Sequence, residues 1–348
     1  MNVIGVDYHP SWQQICWMDT ETGETDEKKL EHATGEAERF YRQLPGRALI
    51  GMESTGNCQW FVELLGRLGH ELWIGDAAKI RASEVRRQKN DRRDAALILK
   101  LLVEGRFPRI WTPTSEEKDL RQLLIHRYKL VLIRAQVKNE LQHLAMNQGV
   151  TKRQKLWSKA GEKVLRELPL APWAGRRRED LFKVRGMLDE QIALLDVAVK
   201  EAAEKNEKAR LLMTQPGVGP VTSMAFVLTM GDVQRFRRGK HVASYLGLIP
   251  REHSSGGHQR LHSISKQGNR FLRMLLVEAA QSAVRYDPEF RREYLHRCHG
   301  KPRGVAKVAA ARKLAVRLYW MLRTNTAYPG VVRVESSSRV PVVVRSNG

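Results

Sequence analysis

The chain has 348 residues, room for two or three domains, and 60 Lys and Arg against 38 Asp and Glu leave a formal net charge of +22. That excess argues against a small acidic metabolite as sole partner and favours a polyanion, either nucleic acid or an anionic membrane surface. With 42% hydrophobic and 28% charged residues, and no apolar run near the roughly 20 residues of a membrane span, the composition is that of a folded soluble protein.

The opening MNVIGVDYHP carries no basic region leading into an apolar stretch, which is not the pattern of a signal peptide. Cys16, Cys58 and Cys298 are far apart and suit a reducing compartment rather than a disulfide framework or a thiolate zinc site. The expectation is a cytoplasmic, multidomain protein associated with nucleic acid.

In chain order, residues 1–112 read as alternating α/β. Strands are expected at Asn2–Asp7, Gln14–Asp19, Glu27–His32, Arg47–Met52 and Glu71–Ile74. Helices are expected at Ala33–Leu44, Cys58–Leu68 and Asp91–Glu104, with Gly46, Gly69 and Gly105 as stops. That order suits a mixed sheet with flanking helices.

Thr112-Pro113-Thr114-Ser115 reads as a boundary, with Ser115 as helix N-cap. Helical patterns over Glu116–Asn147 and Arg178–Leu212 suggest a long antiparallel hairpin, coiled-coil-like, within residues 113–212. Residues 213–330 are expected to be mainly helical, with helices at Val221–Met230, Lys240–Leu246, Arg270–Tyr286 and Gly304–Arg323. Residues 331–348, rich in Val, Ser and Arg, read as a loose tail.

Four carboxylates stand where chemistry could use them. Asp7 and Glu53 each end an apolar strand, and Asp91 and Asp94 lie three apart at a helix start, on one face. Acids gathered in this way suit hard divalent cations, which take oxygen ligands and can clamp the oxygens of a phosphodiester. Lys89, Arg92 and Arg93 surround the acid pair and could hold a nucleic-acid backbone. Each acid taken singly also fits a strand-end turn or the positive end of a helix dipole.

Two later segments carry further candidates. Pro216-Gly217-Val218-Gly219 has the turn of a helix-hairpin-helix, where the amides of Gly217 and Gly219 could bind a phosphate; a plain helix–helix turn fits it equally. Ser254-Ser255-Gly256-Gly257 places hydroxyls on a permissive backbone, although on chemistry alone such a segment is more often a flexible turn. Arg251, His253, His258, Arg260, Lys266 and Arg270 stand nearby in sequence to bind phosphate or assist proton transfer. His296, Cys298 and His299 lack a second ligand pair at zinc spacing and are read as surface or core residues.

Taken in order, these motifs resemble the DEDD transposases of insertion-sequence family 110, the bridge-RNA-guided DNA recombinases. The likeness runs over about residues 1–325. It is carried by Gly5-Val6-Asp7, Met52-Glu53-Ser54-Thr55-Gly56, Lys89-Asn90-Asp91-Arg92-Arg93-Asp94-Ala95, Pro216-Gly217-Val218-Gly219, Leu246-Gly247-Leu248-Ile249-Pro250-Arg251, Ser255-Gly256 and Ile264-Ser265-Lys266-Gln267-Gly268. The chain departs from the family pattern at Tyr8-His9-Pro10, at Asn90 and at Gly75-Asp76.

The resemblance implies a ribonuclease H/RuvC-like catalytic domain at 1–112 and a serine-bearing transposase domain at 213–330. It implies Mg²⁺ held by Asp7, Glu53, Asp91 and Asp94, and Ser255 as a nucleophile that forms a transient phosphoserine link to DNA. The partners it implies are a guide RNA that pairs with target and donor DNA, and further copies of the chain, as dimers pairing into tetramers. Two other functions fit the residues: a metal-dependent junction-resolving nuclease without serine chemistry, and a non-catalytic nucleic-acid-binding protein. The four acids argue against the latter, since unpaired acids facing DNA repel it unless a cation intervenes.

Overall fold

A computed structural model describes residues 1–83, 90–150, 155–252 and 261–330. Its contacts divide the chain into one unit over Met1–Thr112 and a second from Pro113 onward.

The first unit runs β1 (Asn2–Tyr8), β2 (Trp12–Asp19), β3 (Thr25–Glu31), α1 (Glu36–Arg42), β4 (Leu49–Glu53), α2 (Gln59–Arg67), β5 (Glu71–Gly75), α3 (Ala77–Ala82) and α4 (Asp91–Val103). The sheet order is β3-β2-β1-β4-β5. β1–β2 and β2–β3 are antiparallel, while β4 and β5 run parallel to β1. This mixed sheet is consistent with the RuvC-like arrangement that the resemblance implies.

Strand alternation explains the three layers. Ile4, Val6 and Tyr8 of β1 point into one core with Tyr41, Ile50, Met52, Phe61 and Leu65, where α1 and α2 cover the sheet. Val3 points the other way, into a core with Ile98, Leu99 and Leu102 of α4. β1 can lie buried along its whole length because both faces are covered. Asp7 shares the α4 face with Val3 and Gly5.

Two local expectations are corrected here. The first helix is shorter than Ala33–Leu44, starting only after Gly35. The helix α3 was not expected; Asp76 starts it by accepting hydrogen bonds from the amides of Ala78 and Lys79 at 3.0 and 3.3 Å.

The second unit is mainly helical: α5 (Ser115–Asn147), α6 (Lys159–Arg166), α7 (Pro172–Lys205), α8 (Glu207–Met213), α9 (Pro220–Met230), α10 (Gly239–Tyr245), β6 (Pro250–Glu252), β7 (Leu261–Ile264), α11 (Arg270–Tyr286), α12 (Pro288–Gly300) and α13 (Arg303–Thr324). Thr114, not Ser115, caps α5. Its hydroxyl accepts from the Glu117 amide at 3.1 Å and the Glu117 carboxylate accepts from the Thr114 amide at 2.9 Å, a reciprocal box that satisfies two otherwise orphan donors.

The single helix expected over Arg178–Leu212 is two. Asn206 leaves helical geometry and its side chain accepts from the Ala209 amide at 2.9 Å, which ends α7 and starts α8. The pairs Arg127–Asp196, Arg134–Asp189 and Arg177–Glu140 rise along α5 as they fall along α7, so the two helices run antiparallel. Near the far end of the pair, α6 adds Leu165 to a cluster with Leu141, Ala145 and Phe182.

The main core of this unit surrounds α9, buried from Thr222 to Met230 and packed among α5, α7, α8 and α11. A helix apolar all round needs such enclosure. Arg317 and Asp287 pair at 3.0 Å inside this unit with almost no exposure. The strands β6 and β7 pair antiparallel and bracket residues 253–260. Neither strand was expected, nor was α12. Among the described residues, no helix is long and apolar enough to cross a membrane.

Candidate functional site

The site is built at one end of the first sheet. Asp7 is the penultimate residue of β1 and Glu53 the last of β4. The parallel register pairs Gly5 with Gly51 and Val6 with Met52, so the next step along both strands sets Asp7 beside Glu53 on the α4 face. That face has room because two glycines in register lie under the helix. A methyl group at Gly5 would stand 2.2 Å from the Ala95 carbonyl oxygen and 2.5 Å from the Leu99 amide nitrogen.

The start of α4 supplies the other acids. Asn90 caps it, its side chain accepting from the Arg92 amide at 3.2 Å, and Asp91 and Asp94 occupy the first turn. Carboxylates are favoured there by the helix dipole. One carboxylate oxygen each from Asp7 and Asp91 and a ring nitrogen of His9 all lie within 4.8 Å of one another. His9 Nε2 is 3.3 Å from Asp7 Oδ2 and 4.0 Å from Asp91 Oδ1.

Electrostatics report the same crowding. Burial pushes the Asp7 carboxyl above its ordinary range, and Asp94 and Asp91 push it the same way, while His9 partly offsets them. A buried carboxylate pressed by like charges is relieved by a bound cation.

Thus the structure joins Asp7 with Asp91, holds Asp94 near enough to act on Asp7, and places Glu53 on the adjoining strand end, outside the three-atom cluster. The sequence reading gave His9 no part in the site. The available signal was its place two residues past Asp7 in a tight turn: the His9 amide donates to the Trp12 carbonyl at 2.9 Å, folding the ring back toward the acid.

A family model described as a DEDD transposase of IS110 type matches residues 4–147. A second, described as the transposase IS116/IS110/IS902 family, matches residues 209–295. Together they take in about two thirds of the chain. The chain belongs to the IS110 family of transposases.

Relatives of this transposase are spread among bacteria. It is 28% identical over 337 residues to a probable family 20 transposase of Pseudomonas aeruginosa, covering 94% of this chain and 98% of the relative. It is 31% identical over 211 residues to the transposase for insertion sequence element IS1111A of Coxiella burnetii, covering 58% and 57%. A pilin gene-inverting protein of Moraxella bovis is 29% identical over 250 residues, covering 70% and 68%.

As an IS110-family transposase the protein is an enzyme whose substrate is DNA. The expected backbone contacts are scattered over both units. Arg92 and Arg93 are exposed beside the acids, and Arg92 pairs with Glu27 at 3.2 Å. Lys89 lies outside the described residues, as do Ser254, Ser255, His253, His258 and Arg260.

Arg251 on β6 is exposed and donates to Ser263 Oγ at 3.1 Å. Lys266 and Arg270 are exposed at the entry to α11. The amides of Ser265 and Lys266 donate to the carbonyls of Ile249 and Gly247 at 2.8 and 3.2 Å, which ties two motifs of the resemblance together below the strand pair.

The two glycines of the α8–α9 turn differ. Gly217 has φ +86° and packs on α11, where a methyl would stand 2.5 Å from the Ala283 amide nitrogen. Gly219 is exposed at the N-cap of α9 with open space beside it.

Proposed function

We propose that this transposase is an RNA-guided DNA recombinase with a divalent-cation site at Asp7, Glu53, Asp91 and Asp94, and with Ser255 as the attacking group. One observation supports the reading above the rest: donor atoms from β1 and α4 converge within 4.8 Å beside Asp94, in a chain with a net charge of +22. The carboxylate oxygens suit Mg²⁺, which takes hard oxygen ligands. When bound, such a cation would supply charge neutralisation on phosphate and leaving oxygens.

The protein's own groups divide the remaining work. Asp7 and Asp91 hold the site negative, and exposed Arg93, Arg251, Lys266 and Arg270 hold the DNA backbone. The Ser255 oxygen attacks phosphorus and its proton passes to a neighbouring base. The bond from phosphorus to the leaving sugar oxygen breaks, and the strand is held as a phosphoserine ester. Attack by a partner strand's hydroxyl on that ester reverses the step and restores the serine. Base pairing by a guide RNA selects the sequence, so the protein needs only backbone and shape contacts.

The same reading has the chain work as dimers that pair into tetramers. Met187 and Leu194 on α7 and Leu132 and Ile133 on α5 are exposed apolar side chains on the long helices, which suits contact with further copies. The proposed segments are a catalytic domain at 1–112, an assembly hairpin at 113–212, a serine-bearing domain with a phosphate-binding helix-hairpin-helix turn at 213–330, and a tail at 331–348.

The test incubates wild type, Ser255→Ala and Ser254→Ala with guide RNA and both DNAs and looks for protein-linked DNA on a denaturing gel. An adduct formed by wild type and Ser254→Ala but absent from Ser255→Ala supports the reading. Cleavage by wild type without any adduct overturns the serine step and leaves a nuclease that uses water.

A further inference from the structure

We propose that His9 is itself a ligand of the bound cation, so that the site has a mixed oxygen–nitrogen donor set and selects Mn²⁺ over Mg²⁺. The inference rests on the reading that Asp7 and Asp91 hold a divalent cation, and adds the atom that completes the donor set and the metal preference that this atom imposes.

Three observations carry it. First, the distances from His9 fit. Metal–ligand bonds of about 2.0–2.2 Å let two ligands of one ion lie at most about 4.4 Å apart. His9 Nε2 lies 3.3 Å from one acid oxygen and 4.0 Å from the other, within that limit. Asp7 and Asp91 reach the site from different elements, and the His9 nitrogen lies close to both.

Second, the ring is held in place. It stacks on Trp12 with centroids 4.1 Å apart and planes 22° apart. The Lys29 ammonium lies 4.6 Å from the Trp12 ring centroid and so helps to hold that ring. The His9–Trp12 backbone hydrogen bond closes the turn beneath. A ligand whose orientation is set before metal arrives loses little entropy on binding.

Third, the three donors differ in burial in a way that suits an accessible cation. Asp7 is buried, whereas His9 and Asp91 are half-buried and leave an approach from solvent.

Donor chemistry gives the selectivity. Mg²⁺ dehydrates reluctantly and favours oxygen ligands in a strict octahedron. A neutral imidazole nitrogen is a softer donor, and first-row transition cations accept it more readily. Replacing His9 by a side chain that offers only a weak oxygen donor therefore penalises Mn²⁺ far more than Mg²⁺.

The experiment loads full-length protein with Mn²⁺ and reads bound metal by electron paramagnetic resonance, with pulsed detection of nitrogen-14 coupled to the ion. Wild type is expected to show imidazole nitrogen coupling. In His9→Gln the coupling should vanish, the Mn²⁺ affinity should fall by about tenfold, at the low end for loss of a group that orders a metal site, and the Mg²⁺ affinity measured by competition should change by less than about threefold.

Asp7→Asn sets the background of non-specific Mn²⁺. Bound Mn²⁺ above that background without nitrogen coupling, or coupling that persists in His9→Gln, overturns the role of His9 while the carboxylate site stands. Mn²⁺ retained by wild type no better than by Asp7→Asn overturns the metal site and the inference with it.

Discussion

Gly5 lies directly beneath Ala95, so close that a methyl on Gly5 would stand 2.2 Å from the Ala95 carbonyl oxygen. This contact seats α4 on the sheet and, four and one residues upstream of Ala95, fixes Asp91 and Asp94 over the end of β1. The geometry of the acids therefore depends on a residue that carries no functional group.

Gly5→Ala is expected to force α4 off the sheet. The clash is with backbone, which cannot rotate away as a side-chain tip could. Overpacking of this kind costs about 1–3 kcal/mol. Thermal unfolding should show the loss, and divalent-cation binding should weaken in the same variant because Asp91 leaves Asp7. An unchanged melting temperature with unchanged cation binding would contradict the seating argument.

The α8–α9 turn sets a closely packed glycine two residues before one with open space beside it. Gly217 combines φ +86° with a close approach to Ala283, so Gly217→Ala should destabilise the second unit by about 1–3 kcal/mol. Gly219 has an extended backbone and open space, so Gly219→Ala should cost under about 1 kcal/mol, the loss of a tolerated N-cap. Paired denaturant melts check the contrast. If Gly219→Ala also weakens DNA binding without loss of stability, its exposed amide is the phosphate contact.

How far the sequence could be read depends on the same division between local and long-range causes. β1 and β4 were legible because apolar runs between Gly, Pro and acidic stops mark buried strands, and α11 was legible to the residue because Asn269 caps a long periodic segment. The four acids could be singled out because they sit at element ends.

His9 was not legible, since its approach to Asp7 depends on a turn that returns the ring to the acid and its orientation on a stack with Trp12. The break at Asn206 was hidden because a capping side chain can interrupt a helical pattern without Gly or Pro. β6 and β7 are three and four residues long, too short to show alternation. Thr114 and Ser115 are both good caps, and only the position of Glu117, three residues past Thr114, decides between them.

The α5–α7 pair should respond to acid through Asp189. Burial would raise its carboxyl pKa, but hydrogen bonds and charge from Arg134 and Arg185 outweigh this and hold it below the ordinary range. A depressed folded-state value means the stabilisation is present above the unfolded carboxylate range and lost as pH falls through the folded value. The side chain is 39% exposed, so screening keeps the contribution to about 1 kcal/mol or less. Asp189→Asn should melt below wild type at neutral pH, with the gap closing on acidification below about pH 4. A gap that stays constant to strong acid would show that charge is not its cause.

Binding to DNA should weaken steeply with salt. The chain carries 60 Lys and Arg, and Arg93, Arg251, Lys266 and Arg270 are exposed. Each cation that meets a phosphate releases counterions, and the logarithm of affinity falls with the logarithm of salt by about 0.9 per phosphate neutralised. A footprint of six to ten phosphates would lose roughly 10³–10⁵ in affinity between 50 and 200 mM salt. Neutralising one contact should flatten the slope by about one unit. Arg93→Ala is expected to do so, since Arg93 is exposed beside the acids. Arg92→Ala should do so less, because Arg92 must first leave Glu27, 3.2 Å away. Titrations of a non-cognate duplex at several salt concentrations measure all three slopes. A flat dependence for wild type, or equal slopes for wild type and Arg93→Ala, would remove the backbone contact assigned beside the acids.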